Sequence, residues 1–224
     1  MPGNPAISCI SVIPDGNRRW GKKNLLSMEE TYRFAAGKTW DLLEWAAALK
    51  SLKRLNFFLF SKSNLKREKK DLSAIIQAVD SELEKALKSG FFREKKLKIR
   101  FFGDRAVFGE KILKKFDLLE KMTQKNKGLE IVFFIGYSSQ EEIIETAKKA
   151  AGKKKERKGI FSAHLPVDIV ARTGGEKRLS DFLLLEHMDA ELFFIEKPWP
   201  ELEKKDLEKA INEFFERKKV LSDF

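Results

Sequence analysis

Short runs of consecutive apolar residues alternate along the chain with longer stretches in which apolar residues return every three or four positions. The runs are Ile10 to Ile13, Leu55 to Phe60, Leu97 to Phe102, Leu129 to Ile135, Val167 to Ala171 and Leu192 to Ile195. Runs this short, closed by turn residues, predict strands buried on both faces. Between them, Tyr32, Ala36, Trp40, Leu43 and Ala47 have helical spacing. So do Leu72, Ile75, Ile76, Val79 and Leu83, then Ile112, Phe116 and Leu119, then Ile143, Ile144 and Ala147, and finally Leu207, Ile211, Phe214 and Phe215. Ser27 and Glu30 have the spacing of a capping box, and Gly90 marks the expected end of the second of these helices. Repeated strand–helix units predict an α/β fold, with a largely parallel sheet of about six strands flanked by helices. No repeat or Pro/Gly/Ser-rich linker divides the chain, so residues 1–224 are read as a single domain.

Composition adds two constraints. The chain has 45 Lys and Arg against 34 Asp and Glu, a formal charge of +11, which favours an anionic ligand or surface. Cys9 is the single cysteine and excludes an intrachain disulfide. With no basic-then-apolar signal segment at the amino terminus and no apolar run long enough for a bilayer, a cytoplasmic protein is expected, with room for peripheral membrane contact.

The chemistry collects where strands end. After Ile13 comes Pro14-Asp-Gly-Asn-Arg-Arg-Trp20, at the carboxyl end of a strand, where open α/β sheets bind ligands. Gly16 permits a tight turn, Arg18 and Arg19 suit an oxyanion, and Asp15 suits a hard cation, which together describe a metal-bridged phosphate. A plain Pro-Asp-Gly-Asn turn between strand and helix accounts for the same residues. A polar turn, Ser61-Lys-Ser-Asn-Leu-Lys-Arg67, follows the second strand, and Arg172-Thr-Gly-Gly-Glu-Lys-Arg-Leu-Ser180 follows the fifth. In the latter, Arg172 and Arg178 can fork onto phosphate oxygens and Ser180 can add a hydroxyl, although a Gly-Gly turn with surface arginines is also common. Glu191 opens the sixth strand, from which it is expected to reach a cation held at that anion.

Other motifs carry less. Gly37-Lys38-Thr39 has the tail of a P-loop, but Tyr32 stands in place of its first glycine and the tripeptide lies within a helical pattern. His164 and His187 are the two histidines, and Cys9 lacks metal-ligand spacing to either. The basic run Lys153 to Lys158 reads as a solvated loop. Basic residues alternate with phenylalanine around Leu97 to Phe102, but core phenylalanines of a strand explain this, and no nucleic-acid partner is expected.

Asp15-Gly-Asn-x-Arg-Trp20, Ser61-x-x-Asn-x-x-Arg67, Gly103-Asp104, Arg172-Thr-Gly-Gly-Glu-x-Arg-x-Ser180, and Ala190-Glu191 with Trp199-Pro200 occur in the order found in cis-prenyltransferases. From about Ile7 to Arg217 the sequence resembles the undecaprenyl diphosphate synthase family. The resemblance implies an apolar tunnel through the subunit and Mg²⁺-dependent condensation of isopentenyl diphosphate with an allylic prenyl diphosphate, giving a longer Z-polyprenyl diphosphate. By the same resemblance, Asp15 would hold Mg²⁺. Gly16, Asn17, Arg18, Arg19 and Trp20 would bind the allylic diphosphate together with Ser61 and Arg67, and Asn64 would lie near the condensing carbons. Arg172, Arg178 and Ser180 would bind isopentenyl diphosphate, with Glu191 on its Mg²⁺ from the same or a neighbouring subunit.

The chain also departs from that pattern. Leu65 replaces a tryptophan, Phe34 a histidine and Glu30 an arginine, while Gly136-Tyr-Ser-Ser-Gln140 stands for Asn-Tyr-Gly-Gly-Arg. Arg18 stands where the family often has glycine. The tail, Arg217 to Phe224, lacks the Arg-x-Gly that reaches across the family's dimer, so a homodimer or a heterodimer with a related subunit is expected. A low-activity regulatory subunit and an enzyme with a non-standard acceptor are the alternative readings.

Overall fold

The computed structural model describes residues 6–151 and 165–222, the side chains of 149–151 and 220–222 excepted. The basic run Lys153 to Lys158, His164 and the last two residues of the tail lie outside the described residues. In chain order the elements are β1 (Cys9–Ile13), α1 (Asn17–Lys23), α2 (Met28–Ala48), β2 (Arg54–Ser61), α3 (Lys69–Lys88), α4 (Phe91–Glu94), β3 (Lys98–Phe102), α5 (Gly109–Thr123), β4 (Glu130–Tyr137), α6 (Ser139–Ala151), β5 (Ile169–Arg172), β6 (Glu191–Phe194) and α7 (Lys204–Ser222). Every strand pair is parallel, and the sheet order is β3-β4-β2-β1-β5-β6.

The consecutive apolar runs are explained by burial on both sheet faces. Ile10, Val12, Phe57, Ile131, Phe133 and Ile169 point to one side, where they meet Leu42, Leu43, Ala46, Ile75, Leu83, Ile112 and Phe116 from the helices and Leu207 and Phe214 from α7. Cys9, Ile13, Phe58, Val132, Phe134 and Val170 point to the other, where Phe182 stacks on Phe58 with ring centroids 4.3 Å apart. The period of two along each strand divides the two cores. On the second side, part of the cover comes from the irregular segment between β5 and β6, which contributes Leu179, Phe182 and Leu183.

Several local expectations need correction. The predicted α2 face, Tyr32, Ala36, Trp40, Leu43 and Ala47, is only partly buried, because Tyr32, Ala36 and Trp40 face a cavity; the fully buried stripe includes Ala35, Leu42, Leu43 and Ala46. α3 ends at Lys88, capped by Ser89, and Gly90 is a right-handed residue that opens α4. The capping box of α2 is present, with Ser27 Oγ accepting from Glu30 N at 3.2 Å and Glu30 Oε2 accepting from Ser27 N at 2.9 Å. Gly37 to Thr39 lie inside α2, away from any strand end.

Two titratable groups sit against the second core. His187 is buried with Nε2 2.9 Å from Ser11 Oγ, and burial pushes its pKa down to about 4. Glu186 has a buried carboxyl oxygen without a partner, and burial, with the Glu142 charge nearby, pushes its pKa up to about 7. A carboxyl whose pKa is raised on folding binds more protons in the folded state between about pH 4.5 and 7, so its contribution to stability falls as pH rises through that window. Glu186→Gln should therefore melt at a temperature close to the wild type at pH 5 and a few degrees above it at pH 8, in thermal scans followed by circular dichroism. The wild type's own curve also carries the opposite slope of His187, so the difference between the two proteins is the quantity to read.

Candidate active site

The three polar turns meet at the carboxyl edge of the sheet because β1, β2 and β5 run parallel as near neighbours. They open onto one cavity of about 910 Å³, lined at the mouth by Asp15 to Arg19, Ser61, Asn64, Arg67, Arg172, Glu176, Arg178 and Ser180. Its deep end is apolar and aromatic, with Leu43, Phe57, Ile75, Phe92, Phe101, Phe116 and Phe133. Trp199 closes one wall; it is fully buried, donates Nε1 to Ala35 O at 2.9 Å and meets Phe57 edge-on at 5.3 Å.

Asp15 is fixed by groups from distant parts of the chain. Its N–H donates to Thr173 Oγ1 at 2.9 Å, while its carbonyl accepts from Thr173 Oγ1 at 2.8 Å and from Trp199 N at 2.9 Å. One carboxylate oxygen accepts from Gly16 N at 2.6 Å and the other from Arg172 Nη2 at 2.7 Å. Gly16 has φ +92, and an added Cβ would lie 2.8 Å from Pro198 Cβ; a Cβ on Gly174 would lie 2.9 Å from the Asp15 carbonyl carbon. Both glycines are required because the two turns pack backbone to backbone.

Arg172 is 3 % exposed and also donates to Ser180 Oγ at 2.7 Å and to the Arg178 carbonyl. Ser180 and Asp181 hold left-handed backbone, φ 54 and 62, a conformation unusual for non-glycine residues and frequent in ligand loops. Asp181 ties this turn to the one after β4, accepting from Ser138 Oγ at 2.5 Å and from Gln140 N at 3.0 Å.

Carboxylates and hydroxyls hold the remaining arginines. Arg19 donates to Gly174 O at 2.8 Å and lies 3.3 Å from Glu176, which also pairs with Arg178. Arg18 pairs with Asp71 at 3.1 Å, at the start of α3. Arg67 donates to Tyr32 Oη at 2.9 Å, and burial holds the Tyr32 phenol above its usual pKa. Asn64 sits in a 3-10 turn, Lys62–Lys66, its Oδ1 accepting from Ser61 N at 3.2 Å while its own N–H donates to Ser61 Oγ at 3.3 Å. Sequence spacing gives no site role to Thr173, Glu176, Tyr32 or Asp71. Glu176 does lie within the Gly-Gly turn, but its pairing with Arg19 spans distant positions.

Two assigned residues fall outside the cavity lining. Trp20 packs its ring edge-on against Phe34 at 5.3 Å and does not line the cavity. Glu191 pairs in register with Ile169, whereas Arg172 pairs with Phe194, so Glu191 lies at the amino end of the sheet, opposite Asp15. There Glu191 accepts from Arg217 Nη1 at 2.7 Å. The expectation that Glu191 reaches the anion turn of its own subunit is corrected: its position in the strand is right, but the parallel register directs it to the wrong end.

A hard cation fits the mouth only jointly with a phosphate. Among the described residues no three His, Cys, Asp or Glu side chains cluster as a metal site. Asp15 offers one carboxylate, and Asn17 Oδ1 is a buried acceptor with no partner, while Arg172 Nε is a buried donor with none. Such a sparse acceptor set suits Mg²⁺, which keeps waters and shares substrate phosphates, and the orphan donor suits an anion.

Residues 13–222 match the family model described as "Putative undecaprenyl diphosphate synthase". A geranylgeranyl-diphosphate-specific tritrans,polycis-undecaprenyl-diphosphate synthase of Pyrobaculum aerophilum is 33% identical, with 94% of this chain and 93% of that protein covered. Its counterpart in Archaeoglobus fulgidus is 32% identical, over 93% of this chain and 89% of the other. The solved structure of "a probable undecaprenyl diphosphate synthase" from Campylobacter jejuni superposes with TM-score 0.76 at 30% identity, covering 94% of this chain and 95% of the other. Lavandulyl diphosphate synthase from Lavandula x intermedia shares the fold with TM-score 0.84 at 23% identity, covering 93% and 94%. With a phosphate-suited mouth above an aromatic cavity, and a family match running from β1 into α7, the chain belongs to the undecaprenyl diphosphate synthase family of cis-prenyltransferases.

Proposed function

We propose that this protein adds isopentenyl diphosphate to an allylic prenyl diphosphate, geranylgeranyl diphosphate in particular, to make a longer Z-polyprenyl diphosphate. The observation that carries this reading is the shape of one cavity, with arginines and Asp15 at its mouth and phenylalanines at its deep end. The primer assignment rests on the specificity named for the two archaeal relatives.

In the reaction the allylic C–O bond breaks, and its electrons leave with the diphosphate. The alkene of isopentenyl diphosphate then forms the new C–C bond, and a proton leaves the adjacent carbon. Asp15 and Asn17 Oδ1 would hold Mg²⁺ together with the substrate, supplying positive charge against the leaving diphosphate. The guanidiniums of Arg19 and Arg67 bind the allylic diphosphate, and those of Arg172 and Arg178, with Ser180, bind isopentenyl diphosphate. Arg19 and Arg178 must exchange Glu176, and Arg67 must exchange Tyr32, for a phosphate, so these partners keep the arginines placed before substrate arrives. Arg172 keeps its bond to Asp15 and offers its unpartnered Nε. Asn64 is a poor base, and its Oδ1 already accepts from Ser61 N. The released diphosphate is the stronger acceptor for the proton, and Asn64 positions the reacting carbons.

The reading includes a dimer formed across β6, one of the two edge strands of the sheet. Leu192 on that strand is exposed, and Leu185 and Met188 just before it are exposed as well. Two β6 edges meeting about a two-fold axis run antiparallel, which carries Glu191 of each subunit toward the carboxyl edge of the other. Glu191 then has a route to a neighbouring subunit's cation that its own subunit lacks.

Asp15→Asn should keep the fold but lower turnover about a hundredfold or more, the usual cost of losing a group that stabilises charge in the transition state. Isopentenyl diphosphate incorporation with geranylgeranyl diphosphate and Mg²⁺ measures it, and wild-type turnover by the variant would overturn the mechanism. Arg178→Ala should raise KM for isopentenyl diphosphate roughly tenfold or more, and Arg67→Ala should do so for the primer; equal losses for both substrates in both variants would contradict the division of labour. Leu192→Asp should convert the dimer to monomer in sedimentation and depress turnover with it. A homodimer that is inactive until a related subunit is added would instead favour the heteromer.

A further inference from the structure

The turn joining α1 to α2 is built like a helix stop but contains the wrong residue for one. Leu26 N donates to Gly21 O at 2.9 Å and Leu25 N to Lys22 O at 3.2 Å, the paired bonds of a Schellman motif. Its left-handed position normally belongs to glycine. Here it is Leu25, with φ 56, and its side chain is 94 % exposed. Left-handed backbone disfavours a side chain with a Cβ, and exposure disfavours an apolar one. Among the described residues nothing repays either cost.

The turn is also held rigidly. Asn24 Nδ2 donates to Trp20 O at 2.9 Å, the Ser27 capping box fixes the start of α2, and a Cβ on Gly21 would lie 2.0 Å from Thr31 Oγ1. Leu25 is therefore presented outward by a firm scaffold. Exposed Lys22 and Lys23 precede it in the chain, exposed Arg33 and Phe34 follow on α2, and Phe34, 53 % exposed, lies against Trp20 of α1. The nearby carboxylates are Glu29 and Glu30, and Glu30 is tied to Ser27. Lys22, Leu26 and Met28 form part of the cavity wall, so the turn is a rim of the mouth.

From this we infer that the α1–α2 turn docks onto an anionic lipid bilayer, with Leu25 and Phe34 entering the headgroup region and Lys22, Lys23 and Arg33 meeting lipid phosphates. A single projecting leucine with two exposed lysines just before it suits the soft interface of a bilayer and offers too little flat area for a stable protein contact. The inference rests on the proposed function for its purpose: a mouth held against the membrane passes a long apolar product into lipid without crossing water.

The test needs no turnover, so its failure and that of the prenyl-transfer reading are separable. Cys9 is fully buried, so Leu25→Cys labels with an environment-sensitive thiol fluorophore at the turn, and Leu118→Cys, exposed on α5, labels a control face. Vesicles of phosphatidylcholine with phosphatidylglycerol should blue-shift the label at position 25 and leave that at 118 unchanged. In cosedimentation, Leu25→Gly, which also relieves the left-handed backbone, should fold normally and weaken vesicle binding about tenfold. Lys22→Glu with Lys23→Glu should weaken binding to the anionic vesicles by a similar factor. Unshifted fluorescence at position 25, equal shifts at both positions, or undiminished binding of Leu25→Gly each overturns the inference.

Discussion

The contact on which the site depends is the ion pair between Asp15 and Arg172, 2.7 Å apart at the ends of two adjacent parallel strands. Arg172 is buried, so its charge is tolerable only because Asp15, Ser180 and the Arg178 carbonyl answer it. The pair ties the turn after β1 to the end of β5, and Gly16 and Gly174 bring the two turns into backbone contact. Trp199, bonded to the Asp15 carbonyl and wedged against Phe57 and α2, carries that geometry into the cavity wall. A change at either charge thus alters position as well as electrostatics.

The mouth's arginines are held in place before any ligand reaches it. Glu176 holds Arg19 and Arg178, Asp71 holds Arg18, and Tyr32 holds Arg67. These contacts are exposed or half-exposed, and their worth in stability is small. Their effect is to keep long, flexible side chains from wandering, so that a diphosphate exchanges partners with groups already in place. Leu25 departs from the same economy, being an exposed, left-handed apolar residue on the same rim.

The strands were legible because a parallel sheet covered on both faces demands unbroken apolar runs, and Ile10 to Ile13 or Leu129 to Ile135 leave little alternative. The three polar turns were legible because each places arginine beside small or flexible residues directly after such a run, where backbone and charge can both approach an anion. What stayed hidden needed register or contact between distant positions. Glu191 stands at the start of its strand in either view, and in a parallel sheet that start lies at the amino end, away from Asp15, as the pairing of Ile169 with Glu191 shows. Trp20 belongs to the Asp15 motif in sequence, but its ring packs on Phe34 of α2, a contact that the motif does not encode. Tyr32 looked like a core residue by spacing, and its hydroxyl bond to Arg67 joins positions 35 apart.

The bonds between Asp15 and Thr173 join residues 158 positions apart, and Trp199 adds a still later anchor. A chain emerging from the ribosome can form β1, β2 and much of the helical layer long before either partner exists. Until residues 172–199 are made and docked, the first turn has no fixed geometry and the cavity lacks one wall. The binding apparatus is therefore complete only when contacts of high sequence separation are made, the kind that cost the most chain entropy to close.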